Sequence, residues 1–325
     1  MKNNTLNVAP NLEDFVKNTK KDLEKKIKEM ILDKKIASIL EGGKRLRPLL
    51  AHVTYKACTQ GKEKSHQYQK ALEGAVVIEL AHAASLVHDD IIDDDEERRG
   101  KPAFHVNSGI SNAILTGHKM LIIGFNIALK HGKDWAKLYV DSWNEIVNGE
   151  LDEVTFNNKD YYNLKEMPTK SQIFQAYYKI IDLKTAALFS SVCKAGAIEA
   201  KVSDEIIKII SDYGREIGLA YQLADDLVDL ENGEMIDSVV IPLLKKLENN
   251  GTNEKNLQKI DIKKKFERNK DEIQDIYIEE IKKHVRKAEK LSKSKIIPKS
   301  PYKNLLTDFP RYIINEMLKK IDIAV

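Results

Sequence analysis

Cysteine has little to do in this chain. Cys58 and Cys193 stand far apart and show neither CxxC nor CxxH spacing, which argues against a disulfide framework or a zinc site and points to a reducing, cytoplasmic setting. Glycine (15) and proline (8) are sparse for 325 residues. A sandwich or barrel needs many turns, so their scarcity favours long helices. Neither sign of charge dominates: 53 basic side chains meet 50 acidic ones, for a net charge of +3. A general nucleic-acid binder would carry a strong basic excess, so no nucleic-acid partner is expected and any anion site must come from local clustering. Long hydrophobic runs are also missing. The longest apolar stretch, Gly74 to Val87, is interrupted by Glu79 and His82, and the opening MKNNTLNVAPNLEDF has no apolar core. Neither a transmembrane segment nor a signal peptide is expected.

The residues that are present read as helix. Apolar types make up 42% of the chain, enough for a sizeable core. Residues 11 to 40 repeat apolar side chains at helical spacing among lysines. The basic, Gly-rich EGGKRLRP breaks this pattern at Glu41 to Pro48, and a helix from Leu49 to about Thr59 follows. A long helix is expected from about Gln69 to Asp94, ended by DDDEERRGKP at Asp93 to Pro102, then helices over roughly 108 to 130 and 134 to 154. The polar stretch Asn157 to Thr169 reads as a loop. Helices resume near Lys170, Asp204 and Gly214, and a Lys-rich tail from Lys245 to the C-terminus reads as solvated helix faces. No Pro/Ser-rich linker divides the chain, so one domain over residues 1–325 is expected.

Two segments carry chemistry. In LAHAASLVHDDIIDDD, a turn of about 100° per residue puts His82, Ser85, Asp89 and Asp93 on one stripe. In GLAYQLADDLVDL the same turn aligns Gly218, Gln222, Asp225 and Asp229. Each contains DDxxD: Asp89, Asp90 and Asp93, then Asp225, Asp226 and Asp229. Carboxylates four apart on an apolar helix repel and resist burial. A divalent cation reverses that cost, and oxygen-only ligands suit magnesium bridging carboxylates to phosphates. A solvated acidic turn would explain one such motif, but explains two poorly. Basic clusters complete the pattern: Gly42, Gly43, Lys44, Arg45 and Arg47 in one, Arg98, Arg99 and Lys101 in the other. Guanidinium groups grip phosphate oxygens in pairs, so two diphosphate sites are expected, one held through metal and one by cations directly.

GGKRLRP (42–48), LVHDDIIDDDEERRGKPAFH (86–105), KTAALF (184–189) and YQLADDLVD (221–229) follow in the order of the trans-isoprenyl diphosphate synthases, the polyprenyl synthetase family, which the chain resembles from Gly42 to Asp229. FPRYIINEMLKKI (309–321) is similar to the family's last helix. The resemblance implies an all-α, antiparallel helical bundle around a deep central cavity, a homodimer, and Mg2+-dependent condensation of an allylic diphosphate with isopentenyl diphosphate. By motif position it implies metal ligation by Asp89, Asp93 and Asp225, with Asp90 and Asp229 linked to the metal site. It implies isopentenyl diphosphate held by Gly43, Lys44, Arg47, His82 and Arg99, and the allylic substrate by Arg98, Lys184, Thr185 and Gln222. Asp89, Asp93, Lys184, Gln222 and Asp225 would carry the catalysis, and the departing diphosphate would take the proton.

In that family the growing chain runs along the helix before the first DDxxD. Here Ser85 and Ala84 stand four and five residues before Asp89, with Ala81 a turn deeper. Small side chains leave room for a product of about twenty carbons or more, geranylgeranyl or polyprenyl diphosphate, where bulky ones would stop growth. Two departures weaken the match. The segment after Asp229, LENGEMIDSVVIPLL, is short and has Glu234 where a lysine is usual, and His118 replaces the aspartate of a Gly-Asp pair. The first favours an alternative, a non-catalytic subunit of a heteromeric synthase. The retained acidic and basic motifs oppose it. A related terpene cyclase would have no use for GGKRLRP and RRG.

Overall fold

A computed structural model describes residues 11–155, 169–232, 264 and 267–325. The polar stretch from Asn157, the loop around Glu234 and the start of the Lys-rich tail lie outside the described residues, apart from Thr169. The fold is all-α. Its helices are α1 (Leu12–Met30), α2 (Lys34–Leu40), α3 (Leu46–Thr59), α4 (Ser65–Ile92), α5 (Phe104–Ser108), α6 (Ile110–His131) and α7 (Lys133–Thr155). They continue with α8 (Lys170–Ile181), a π-turn (Asp182–Ala186), α9 (Ala187–Glu199), α10 (Asp204–Glu231), α11 (Lys270–Ser292) and α12 (Pro301–Leu318). One expectation about the helices needs correction. The segments expected near Asp204 and Gly214 are one helix, because Gly214 is buried inside an unbroken apolar stripe that runs on to Leu230. The charged stretch that ends α4 was given no structure by the sequence, and it holds a hairpin: Glu97–Arg98 (β1) pairs antiparallel with Lys101–Pro102 (β2). Arg99 and Gly100, both at positive φ (57° and 70°), form its two-residue turn, the combination a type I′ hairpin requires.

The chain divides into two compact units: Met1–Asp141, Ser191–Ser211 and Ser292–Phe309 in the first, and Ser142–Ser190, Asp212–Leu291 and Pro310–Val325 in the second. The first unit is built on α4. Ala75, Val76, Val77, Leu80, Ala83 and Ala84 are buried around much of its circumference, so it is a core helix rather than an amphipathic surface one. Ile27, Ile31, Ile36, Leu40, Val76, Leu80, Ala83, Ala84 and Met120 close one continuous cluster across α1, α2, α4 and α6. Helix α6 packs on α4 through Ala113, Gly117, Met120, Gly124 and Ala128. Among the described residues α6 is long and apolar enough to cross a membrane, where the sequence had led to no such segment being expected. In the second unit Tyr213, Ile217, Leu223, Ala224, Leu227 and Val228 bury the inner face of α10.

Candidate active site

The first acidic motif closes α4. Asp93 is its C-cap residue, with its N–H on the Asp89 carbonyl. A helix C-terminus carries partial negative charge, so three aspartates there call for cations. One is supplied by the hairpin: Arg98 Nε donates to Asp90 Oδ1 at 2.6 Å, and its Nη2 also reaches Asp95 at 3.1 Å. Asp90 is buried, Asp89 half-buried and Asp93 exposed. The middle aspartate is thus turned inward to hold the hairpin, leaving the Asp89–Asp93 stripe at the accessible face.

The hairpin joins the two basic clusters. Arg99 Nη1 donates to the Glu41 carbonyl at 3.0 Å, and Lys101 Nζ lies 3.4 Å from Glu41 Oε2. A cleft of about 450 Å³ opens there, lined by Gly42, Asp90, Arg98, Arg99 and Lys101 over an apolar floor that includes Val87 and Phe104. Beside this, Arg47 Nη1 donates to His82 Nε2 at 3.0 Å. Desolvation, and then the positive fields of Arg47, Arg99, Arg98 and Arg45, hold His82 well below the usual imidazole range. The ring is therefore neutral and serves as an acceptor that orients Arg47. Four guanidiniums close enough to depress one histidine make a concentrated anion-attracting field.

Arg45 departs from the basic cluster to which its sequence position assigns it. At φ 59° it caps α3 and turns its guanidinium inward, to Glu79 at 2.5 Å and Glu24 at 2.8 Å. Both Arg45 and Glu79 are 3% exposed. Gly43 has a structural reason beside its expected substrate role: a Cβ there would stand 2.3 Å from Arg45 Nη1 and 2.8 Å from Glu79 Oε1. The signal for this pair was present in the sequence, because a lone Glu79 inside an apolar run needs a buried cation. Lys44 is exposed, as a phosphate-reaching lysine can be.

Of the chain-length residues, Ala84 is fully buried in the α1–α2–α4–α6 cluster. Ala81 is 8% exposed, and Ser85 is half-buried with its hydroxyl on the His82 carbonyl at 2.8 Å. His118, which had no account from the sequence, lies with its ring 5.2 Å from that of His88. Gly117 admits this arrangement, since a Cβ would meet His88 Nε2 at 2.3 Å.

The second motif lies on α10 in the other unit. Gln222 Nε2 donates to Asp226 Oδ1 at 2.8 Å, and Thr185 Oγ1 donates to Gln222 Oε1 at 2.6 Å. Asp226 is buried, while Asp225 and Asp229 are half-buried. Lys184 and Thr185 sit in the π-turn, a one-residue widening that recurs at functional sites. Gly149 allows the turn its approach, because a Cβ would stand 2.5 Å from the Lys184 backbone nitrogen. Lys184 Nζ lies 3.4 Å from Glu150, a partner that no motif signalled. Desolvation raises the Asp182 carboxyl, opposed by an ion pair with Arg215.

No group of three or more His, Cys, Asp or Glu side chains gathers into a metal site among the described residues. The donor chemistry still fits a hard divalent cation. Asp89 and Asp93, and likewise Asp225 and Asp229, offer oxygen alone, and magnesium takes one or two carboxylates and completes its shell with water and phosphate oxygens.

An all-helical chain with two DDxxD helix ends and a guanidinium cluster beside one of them defines a class that handles diphosphates. Residues 29–279 match the polyprenyl synthetase family, and the chain belongs to it. It is 37% identical over 201 residues to the short chain isoprenyl diphosphate synthase of Methanothermobacter thermautotrophicus, covering 60% of this chain and 57% of that protein. It is 32% identical over 194 residues to heptaprenyl diphosphate synthase component 2 of Bacillus subtilis, covering 59% and 51%. The chain thus spans little more than half the length of these curated relatives. A crystal structure of a geranylgeranyl pyrophosphate synthase matches 94% of this chain and 99% of its own, at 25% identity and TM-score 0.72.

Proposed function

We propose that the chain is a prenyltransferase that condenses an allylic diphosphate with isopentenyl diphosphate. The observation that carries this reading is the gathering, at one end of α4, of an accessible aspartate pair and a guanidinium cluster organised by neutral His82. Gly43, Lys44, Arg47, His82 and Arg99 hold isopentenyl diphosphate in this reading. Arg98, Lys184, Thr185 and Gln222 serve the allylic substrate. Asp89, Asp93 and Asp225 would hold magnesium, which when bound supplies charge to stabilise the leaving diphosphate. Arg98 holds Asp90 and sets the hairpin, Thr185 fixes the rotamer of Gln222, and the apolar walls keep water from an electron-poor allylic centre. The purified protein with magnesium, an allylic diphosphate and labelled isopentenyl diphosphate should yield elongated, acid-labile product. No product in any magnesium concentration would overturn the reading and favour the non-catalytic subunit.

The product is proposed to have about twenty carbons or more, because Ala81 and Ser85 leave space that a larger side chain would fill. Ser85→Phe should shorten the main product, and an unchanged distribution would remove that assignment. A homodimer is part of the same proposal. Ile114, Leu115, Ile122 and Leu129 expose an apolar stripe along α6, larger than scattered surface residues account for. Sedimentation should give twice the 37.0 kDa chain mass.

A further inference from the structure

A second site lies elsewhere in the first unit, at the opposite end of α4 from Asp89. The junction of α6 and α7 and the junction of α9 and α10 enclose a cleft of about 650 Å³, within the size range of small-molecule sites. Two residues that line it, Trp135 and His131, each carry a buried nitrogen, Nε1 and Nε2, with no hydrogen-bond partner among the described residues. Their rings are 5.0 Å apart. Trp135 is 4% exposed and the His131 side chain 1%. Nδ1 of His131 is committed to Glu199 at 2.8 Å, while Glu73 stands 3.9 Å from Nε2, beyond hydrogen-bond reach. Folding rarely leaves such atoms unmatched.

The charges around the cleft say what would match them. Glu199 faces His131 Nδ1 at 2.8 Å and pairs with Lys70 at 3.4 Å, and Asp141 is paired with Lys137 at 2.5 Å. Lys133, Lys194 and Lys201 line the cleft with no carboxylate partner among the described residues and outnumber the remaining acids, Asp134 and Asp204. Below them Leu138, Ile198 and Val202 make an apolar floor. We infer that this cleft binds a small phosphate monoester with an apolar body. An indole N–H can only donate, so it needs an acceptor, and the surplus lysines favour an anionic one. An imidazole whose Nδ1 donates to Glu199 presents a lone pair at Nε2 when neutral. A phosphate monoester, with its second pKa of about 6, supplies both an acceptor oxygen and a hydroxyl. The site is separate from the aspartates: Trp135 packs over Gly74, and Asp89 lies about 22 Å further along the same helix at 1.5 Å per residue. The inference does not depend on the chain being a prenyltransferase.

The chain has two tryptophans, so Trp143→Phe leaves Trp135 as the sole indole reporter. Full-length Trp143→Phe protein is titrated with cyclohexyl phosphate and with inorganic phosphate while indole emission is followed. The expected result is a saturable emission change, with cyclohexyl phosphate binding about tenfold more tightly because its ring covers the apolar floor. Lys194→Glu with Lys201→Glu should weaken both ligands by about tenfold or more through charge reversal, with helicity and melting temperature unchanged. Emission that ignores both probes would mean that water alone satisfies the two nitrogens, and the site would fall. Equal affinity for the two probes, or for the charge-reversed protein, would overturn it as well.

Discussion

The two acidic motifs have the same letters and different supports. At the end of α4, Asp90 is held by a guanidinium on a two-stranded hairpin. On α10, Asp226 is held by the carboxamide of Gln222, itself fixed by Thr185 from a π-turn. Both bonds end on a carboxylate, but only the guanidinium brings a compensating positive charge to it. The first motif is therefore organised by charge and the second by geometry. In both, the central aspartate faces inward, and the first and last are the more accessible members. Each DDxxD helix end thus pairs two accessible carboxylates with an inward structural pivot.

The strongest test of this likeness removes the outward ligands. Asp89→Ala and Asp225→Ala should each lower kcat/KM by about a thousandfold, ~4 kcal/mol of transition-state stabilisation. Steady-state kinetics on both variants decides it. If either keeps activity within about tenfold of the parent, that motif is not part of the metal platform.

Next in size is the buried support beneath the first motif's basic cluster. Glu79→Ala strands the Arg45 guanidinium and should cost about 3–5 kcal/mol by denaturant unfolding. Glu79→Leu with Arg45→Met should recover most of that loss. A small effect of the single change would mean that Glu24, half-exposed and 2.8 Å from Arg45, holds the charge alone.

How much of this was legible depends on how local each feature is. Helical class, both DDxxD stripes and the RRG turn are short-range patterns, and sequence periodicity exposes them. The inward turn of Arg45 is not local: its conformation depends on Glu79, thirty-four positions away. Nor does the spacing of Asp89, Asp90 and Asp93 reveal which one Arg98 takes, because the I′ turn that aims Arg98 is set by positive φ at Arg99, a residue type that rarely adopts it. Glu150 beside Lys184 lay in no motif, so only the packing of α7 on the π-turn exposes it. The run-on of α10 through Gly214 was hidden because glycine reads as a break whatever its burial.

A smaller effect separates the two units by pH. In the first, His52 is 1% exposed with neither ring nitrogen partnered, and burial, then the charge of Lys56, push it down to about 3. In the second, His284 Nδ1 meets Glu216 at 2.5 Å. Against desolvation, the bond and charge of His284 and of Lys287 hold Glu216 below its ordinary range. For His52 the folded state stays neutral while the unfolded chain gains a proton below about pH 6.5. Stability should therefore fall by ~2 kcal/mol from pH 7 to pH 5 on this account. Glu216 works in a lower window: its contribution is intact above its unfolded value of 4.5 and is lost as pH falls through its depressed folded value. His52→Phe should flatten the stability profile from about pH 6.5 down to about 3, leaving below pH 4.5 the part of the slope that Glu216 contributes. An unchanged slope would assign that limb to another histidine.

The smallest effect sharpens the opening contrast most directly. Arg98→Gln replaces the ion pair with buried Asp90 by a bond from an uncharged amide, making the first motif resemble the second. Gln222→Leu removes an uncharged donor from Asp226 and leaves the helix charge unaltered. If charge organises one motif and geometry the other, Arg98→Gln should lose about tenfold in kcat/KM, an effect that shrinks as magnesium is raised, because added cation replaces part of the missing charge. Gln222→Leu should lose a similar factor without magnesium dependence, since a cation cannot restore the rotamer of Asp226. Kinetics over a magnesium series for both variants reads the difference. If both respond to magnesium alike, the two motifs are organised by the same force and the contrast fails.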